Sequence, residues 1–96
     1  MRYEFEFAEA VKAHLAALTA RERVTVLNAI ERQLTNEPVK ESRNRKPLRP
    51  NPIAPWELRV GELRVFYEVA ERVVHILAVG TKKRNLVRIG EQEFQL

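Results

Sequence analysis

Residues 56–69 read W-E-L-R-V-G-E-L-R-V-F-Y-E-V. Two runs of alternating apolar and polar residues flank Gly61-Glu62, the pattern of two strands joined by a two-residue turn. That turn sets Val60 opposite Leu63 and Arg59 opposite Arg64. Like charges directly across a ladder destabilise a sheet, so the arginine pair needs a reason. Period two sorts the remaining side chains. Trp56, Leu58, Val60, Leu63, Val65, Tyr67 and Val69 share a face that is almost wholly apolar. Glu57, Arg59, Arg64, Phe66 and Glu68 share the other.

The elements around this hairpin supply a cover for only the first face. Residues 2–7 alternate, with Tyr3, Phe5 and Phe7 on one side, and predict a half-buried strand. The period changes in residues 8–18, where Phe7, Val11, Leu15 and Leu18 fall at helical spacing. T-A-R-E, from Thr19 to Glu22, is a capping-box signature and starts a second helix. Val24, Leu27, Ile30 and Leu34 form its expected stripe, and Asn36 and Pro38 its stop. All five prolines lie in residues 38–55, which predicts a stiff, irregular, extended connection. Beyond the hairpin, V-V-H-I-L-A-V (73–79) is apolar on both faces, as a central strand is. Residues 86–96 suggest a further short strand or a docked tail. The order β-α-α-β-β-β describes one α+β domain over 1–96, a twisted antiparallel sheet with a two-helix hairpin on one face.

Composition narrows the functional classes. The 96 residues contain no cysteine and two well-separated histidines, which leaves no thiolate or zinc constellation. His14 and His75 read as structural residues. No apolar run is long enough to span a membrane, and the N-terminus lacks a signal-peptide layout, so a cytoplasmic protein is expected. The net charge is +4, and two short segments, Lys40–Pro50 and Lys82–Arg88, each carry +4 by themselves. The positive charge is thus confined to two patches, the footprint of a polyanion binder, although such runs are also ordinary solvated loops. Paired arginines on a sheet face with no evident cover suit a bound phosphate, because the guanidinium fork donates bidentate hydrogen bonds. The competing reading is that Glu57, Arg59, Arg64 and Glu68 neutralise one another. An exposed Phe66 would serve as a stacking platform for a base. Gly80-Thr81-Lys82-Lys83-Arg84-Asn85 reads as a basic turn at the end of the central strand, near the same edge.

W-E-L-R-V-G-E-L-R-V-F-Y-E-V followed by V-V-H-I-L-A-V-G-T-K-K-R resembles the RelE/ParE superfamily of type II toxin–antitoxin toxins, most closely its RelE branch. The resemblance covers essentially the whole chain. It implies a growth-inhibiting toxin neutralised by a cognate antitoxin, with operator DNA reached only through that antitoxin. The RelE branch cleaves mRNA in the ribosomal A site of the 30S subunit, and the ParE branch poisons DNA gyrase. Carried over by position, Arg64 is the phosphate-contacting arginine, Arg59 the basic residue of the preceding strand, and Lys82 and Arg84 the cations after the strand-end glycine. Two positions depart from the pattern: Glu57 stands where a lysine is usual, and Arg88 where a catalytic tyrosine is usual. The implied reaction needs no cofactor or metal. Arg59 and Arg64 would hold the phosphate, Lys82 or Arg84 would stabilise the leaving side, and Glu57 or a lysine of residues 40–46 would be the base. Lys40, Arg43, Arg45, Lys46, Arg49, Phe66, Lys83 and Arg88 would bind RNA. The alternatives are a gyrase inhibitor and an RNA-binding module without chemistry.

Overall fold

The 56–69 hairpin forms as its alternation requires. In the computed structural model, which describes residues 2–95, β3 (Trp56–Val60) and β4 (Leu63–Ala70) pair antiparallel with Arg59 opposite Arg64 and Val60 opposite Leu63. Gly61 opens the turn at φ +61, a left-handed conformation that glycine adopts without a Cβ penalty. The other elements are β1 (Glu4–Phe7), α1 (Val11–Ala16), α2 (Ala20–Leu34), β2 (Arg45–Pro47), β5 (Val73–Lys83), β6 (Leu86–Ile89) and β7 (Gln92–Gln95). One sheet runs β2-β3-β4-β5-β6-β7, and β1 joins it by pairing with β5. The α+β architecture with two helices on one face is as expected. Every pairing is antiparallel except that of β1, whose partner β5 runs parallel to it.

β5 organises the sheet. β4 takes one of its edges, from Val73 to Thr81. On the other edge β1 pairs with Val73–Ile76 and β6 with Thr81–Lys83, so the sheet splits between them. A bulge accompanies the split: Tyr67 pairs with Ile76 and Phe66 with Ala78, leaving Leu77 without a partner. The extra residue reverses the alternation. Val74, Ile76 and Val79 enter the core under the helices, while Ala78 enters a second cluster on the opposite face. This is why V-V-H-I-L-A-V reads as apolar on both sides.

The main core joins Val11, Val26, Ala29, Ile30 and Leu34 of the helices to Leu58, Leu63, Val65 and Tyr67 of the hairpin. Trp56 stacks beside Tyr67, its cross-strand partner, at 6.1 Å between ring centroids. Thr19 and Glu22 make the reciprocal hydrogen bonds of the capping box at the start of α2. The face that α2 buries differs from the expected stripe: Val24 is 60% exposed and Leu27 41%. Arg23 accounts for the rotation. Its guanidinium turns inward to the Leu15 and Leu18 carbonyls at the end of α1, at 3.0 Å each. Phe7 also lies outside, while Tyr3 and Phe5 pack on the core as expected.

The second sheet face is covered, contrary to the expectation from a chain with only two helices. Ala54, Phe66, Ala78, Val87 and Ile89 form a smaller core there, closed by Leu48 and Ile53 from the proline-rich segment and by Phe94 of β7. That segment is also less irregular than its prolines suggest. Residues 45–47 form β2 at the sheet edge, and the Asn51 side chain clamps the following turn by accepting from the Ile53 and Ala54 amides and donating to the Arg49 and Ala54 carbonyls. Residues 86–95 form a hairpin, β6–β7, seated where β5 continues through Gly80. Gly80 is expected to end a strand, but it lies inside one. A Cβ there would collide with the Arg88 carbonyl oxygen and the Ile89 side chain.

Two histidines complete the sheet. His75 lies opposite Glu6 of β1, its Nδ1 3.2 Å from that carboxylate. His14 of α1 reaches into the split, where its Nδ1 accepts from the Val79 amide at 3.3 Å. An acceptor nitrogen must be unprotonated, and burial lowers the His14 pKa. The folded chain therefore takes up this proton less readily than the unfolded chain. The stabilisation is intact above the ordinary histidine value of about 6.5 and is lost as pH falls through the lower folded value. Denaturant titrations across that range should show a fall in stability that His14→Ala lacks. A second site tests the link between sheet and loop. The Tyr67 hydroxyl, fully buried, donates to the Pro38 carbonyl at 2.6 Å, and Tyr67→Phe should cost about 1–3 kcal/mol in urea unfolding by leaving that carbonyl unpaired.

Candidate nucleic-acid interface

The arginine pair is occupied from within. Glu57, two residues from Arg59 on the same strand face, is 3% exposed, and its Oε2 accepts from Arg59 Nε at 2.7 Å. Its Oε1 lies 3.9 Å from Arg64 Nε. A carboxylate this buried needs cationic partners, and the two arginines supply them. The charge repulsion expected across Arg59 and Arg64 is thus relieved by a neighbour on the same strand. Mutual neutralisation does not extend to Glu68, which is exposed and lines a separate cleft with Leu48, Arg49 and Ile53.

The two arginines are held differently. Arg59 is anchored through its backbone: its amide donates to the Asn44 carbonyl and its carbonyl accepts from Asn44 Nδ2, each near 2.9 Å. Its side chain is 41% exposed. Arg64 is tucked in. Its Nη1 donates to the Gly61 and Leu63 carbonyls, and its Nε has no hydrogen-bond partner. Burial pulls the Arg64 pKa below the ordinary arginine value; Glu57 opposes this and Arg59 adds to it.

Strand register shows which basic residues share this face. Lys46 of β2 pairs with Glu57, and Gly80 pairs with Arg64. Lys82, two residues beyond Gly80, follows on the same side opposite Val87, a residue of the second core. Lys46, Arg59, Arg64 and Lys82 therefore form a row across four strands, with Glu57 as its buried anion. Lys46 also lies 3.7 Å from Glu41, an exposed residue of the same loop. Lys82 is held by its amide, which donates to the Glu62 carbonyl at 2.7 Å.

Other expected members lie elsewhere. Lys83 and Arg88 occupy the opposite face, where they line a cleft with Glu22, Glu62 and Glu93. The cause is the continuation of β5 through residue 83, which makes side chains expected on one loop alternate across a sheet. Arg84 sits in the turn after β5 with φ +57 and is exposed. Phe66 is fully buried in the second core and offers no stacking surface. Arg45 is a structural residue: it donates to the Lys40 carbonyl and to the Gln33 carbonyl and Oε1, tying the loop to the end of α2. Lys40 is exposed beside Glu37, and Arg43 and Arg49 are exposed on the loop.

Asn44 and Asn51 were not singled out from sequence, yet they fix Arg59 and the proline-rich segment. Their signal was local, an asparagine in a turn-rich stretch that bonds its own neighbourhood. Among the described residues no cluster of three metal-ligating side chains occurs, and no helix is long and apolar enough to cross a membrane. The half-exposed Arg59 guanidinium is the donor on this face that can offer charge-assisted hydrogen bonds to an outside anion, in competition with Glu57.

Comparison with known proteins agrees with this architecture. Residues 5–86 match the family described as the ParE toxin of type II toxin–antitoxin system, parDE. A chain in the crystal structure of the toxin–antitoxin complex RelBE2 from Mycobacterium tuberculosis superposes with a TM-score of 0.73 at 26% identity, over 85% of this chain and 100% of that one. A search of curated proteins gave no significant match. With the family match spanning most of the sequence and the fold in agreement, the chain belongs to the ParE toxin family of type II toxin–antitoxin systems, within the RelE/ParE superfamily.

Proposed function

We propose that this toxin acts on RNA, binding the phosphate backbone along Lys46, Arg59, Arg64 and Lys82 and promoting cleavage of mRNA at the ribosomal A site. The observation that carries the proposal is the row itself, four cations on one sheet face spread over neighbouring strands. Arg59 and Arg64 are directly opposite, with Lys46 and Lys82 diagonally beyond them, and a run of this kind suits a flexible polyanion. In the reaction, the RNA 2′-oxygen forms a bond to the adjacent phosphorus as the bond to the 5′-oxygen breaks. The 2′-hydroxyl gives up its proton, the departing 5′-oxygen gains one, and a cyclic phosphate remains. Arg59 and Arg64 stabilise the charge that builds on the phosphate, and Lys82 or the nearby Arg84 faces the leaving oxygen. Arg43 and Arg49 extend the grip along the proline-rich loop. The partner is a cognate antitoxin, as in the RelBE2 complex, and operator DNA is contacted through it.

A second reading has one observation in its favour. Glu57 already offsets one charge of the arginine pair, and Lys83 and Arg88 lie on the far face, which suits a toxin that inhibits gyrase by binding without cutting RNA. The two readings diverge in one experiment. Purified protein incubated with ribosomes and mRNA should yield cleaved message, and Arg64→Ala should slow cleavage by about 10²–10³-fold. Growth arrest with intact mRNA and impaired supercoiling would establish the gyrase reading instead.

A further inference from the structure

We infer that Glu57 is a displaceable internal counter-ion, an occupant of the place that a nucleic-acid phosphate takes when the toxin binds. Three features meet at this residue. Its carboxylate is nearly fully buried and is held by one arginine at hydrogen-bond distance, with the second 3.9 Å away. Arg64 Nε, beside it, has no hydrogen-bond partner, so the arrangement leaves donor capacity unused. Phosphate presents more acceptor oxygens than a carboxylate does and suits two guanidinium forks better. The strand also offers a reason for the glutamate. Without an anion, Arg59 and Arg64 would face each other across the ladder uncompensated.

The consequence is a set-point on affinity. In the free toxin Glu57 offsets part of the arginine charge, and the face is less cationic than its four basic residues suggest. Binding transfers the forks from the carboxylate to a phosphate and leaves Glu57 to be released toward solvent past the half-exposed Arg59. This inference takes its ligand from the RNA reading above, and the first arm of its test uses no RNA.

The probe is inorganic phosphate, compared with chloride at equal ionic strength, with thermal unfolding of wild type, Glu57→Gln and Glu57→Gln/Arg64→Ala as the readout. Glu57→Gln should unfold earlier in chloride and gain about 6 °C or more at phosphate tenfold above its Kd. Wild type and the double variant should gain little. If Glu57→Gln folds only in phosphate, the same conclusion follows. Equal phosphate effects in wild type and Glu57→Gln, or failure of Glu57→Gln to fold in both salts, would overturn the inference. A short single-stranded RNA then reads the ligand: Glu57→Gln should bind about tenfold tighter with an unchanged salt slope, whereas the exposed control Glu62→Gln should change affinity less than twofold. Phosphate rescue without RNA binding by either protein would sustain the internal counter-ion and remove the RNA reading. RNA binding that Glu62→Gln tightens as much as Glu57→Gln would reduce the effect to net charge and overturn the inference.

Discussion

Everything in this fold is arranged about β5, which meets β4 along one edge and shares its other edge between β1 and β6. Its eleven residues do not keep one alternation: those facing the helices are even-numbered up to Ile76 and odd-numbered at Val79, two phases in conflict. The unpaired Leu77 resolves the conflict by turning the strand over. Its first half serves the helices and places Val74 and Ile76 under them. Its second half sends Ala78 to the smaller core and Val79 to the main one, then carries Gly80 and Lys82 past the arginines. The cationic row and the main core are thus two outputs of one backbone irregularity.

Glu57 shows how a sheet tolerates charge at its centre. It is 3% exposed, so partners must hold its carboxylate in place. The arginines do so by geometry: one on the same strand two residues away, one diagonal on the next. The result resembles a solvated salt-bridge cluster in composition and a ligand site in burial. Arg64 and its unused Nε belong to the second description.

The hairpin, its register and the start of α2 were legible because each rests on residues close in sequence. Gly61-Glu62 sets the pairing of Arg59 with Arg64, and Thr19 and Glu22 satisfy each other within one turn. What failed were particular statements that needed distant residues. Phe66 reads as exposed until Leu48, Ile53 and Phe94 arrive over it from two other segments. Val24 and Leu27 read as core until Arg23 is seen to turn inward to the end of α1. Gly80 reads as a strand end, since glycine is both a breaker and the residue that permits close backbone approach, and only the position of β6 distinguishes the two. From that single ambiguity followed the misplacement of Lys83 and Arg88. Arg59 and Arg64 were legible as neighbours because period two alone assigns them to one face, whereas Lys46 and Lys82 join them only through the register of β2 and β5.

The parallel pairing of β1 bears on how the protein comes into being. Glu4 lies beside Val73, sixty-nine residues later in the chain. An N-terminal strand made first therefore has no partner until most of the protein has left the ribosome, an interval on the order of 3–15 s at ordinary synthesis rates. Until then the helices also lack the sheet that their apolar residues cover. Closing so long a loop is entropically costly and is repaid only when β5 is present. A fragment ending before Val73 would consequently carry the helical hairpin and the arginine pair without the strand that unites them. The order of synthesis thus delays assembly of the cationic row until β5 has been made.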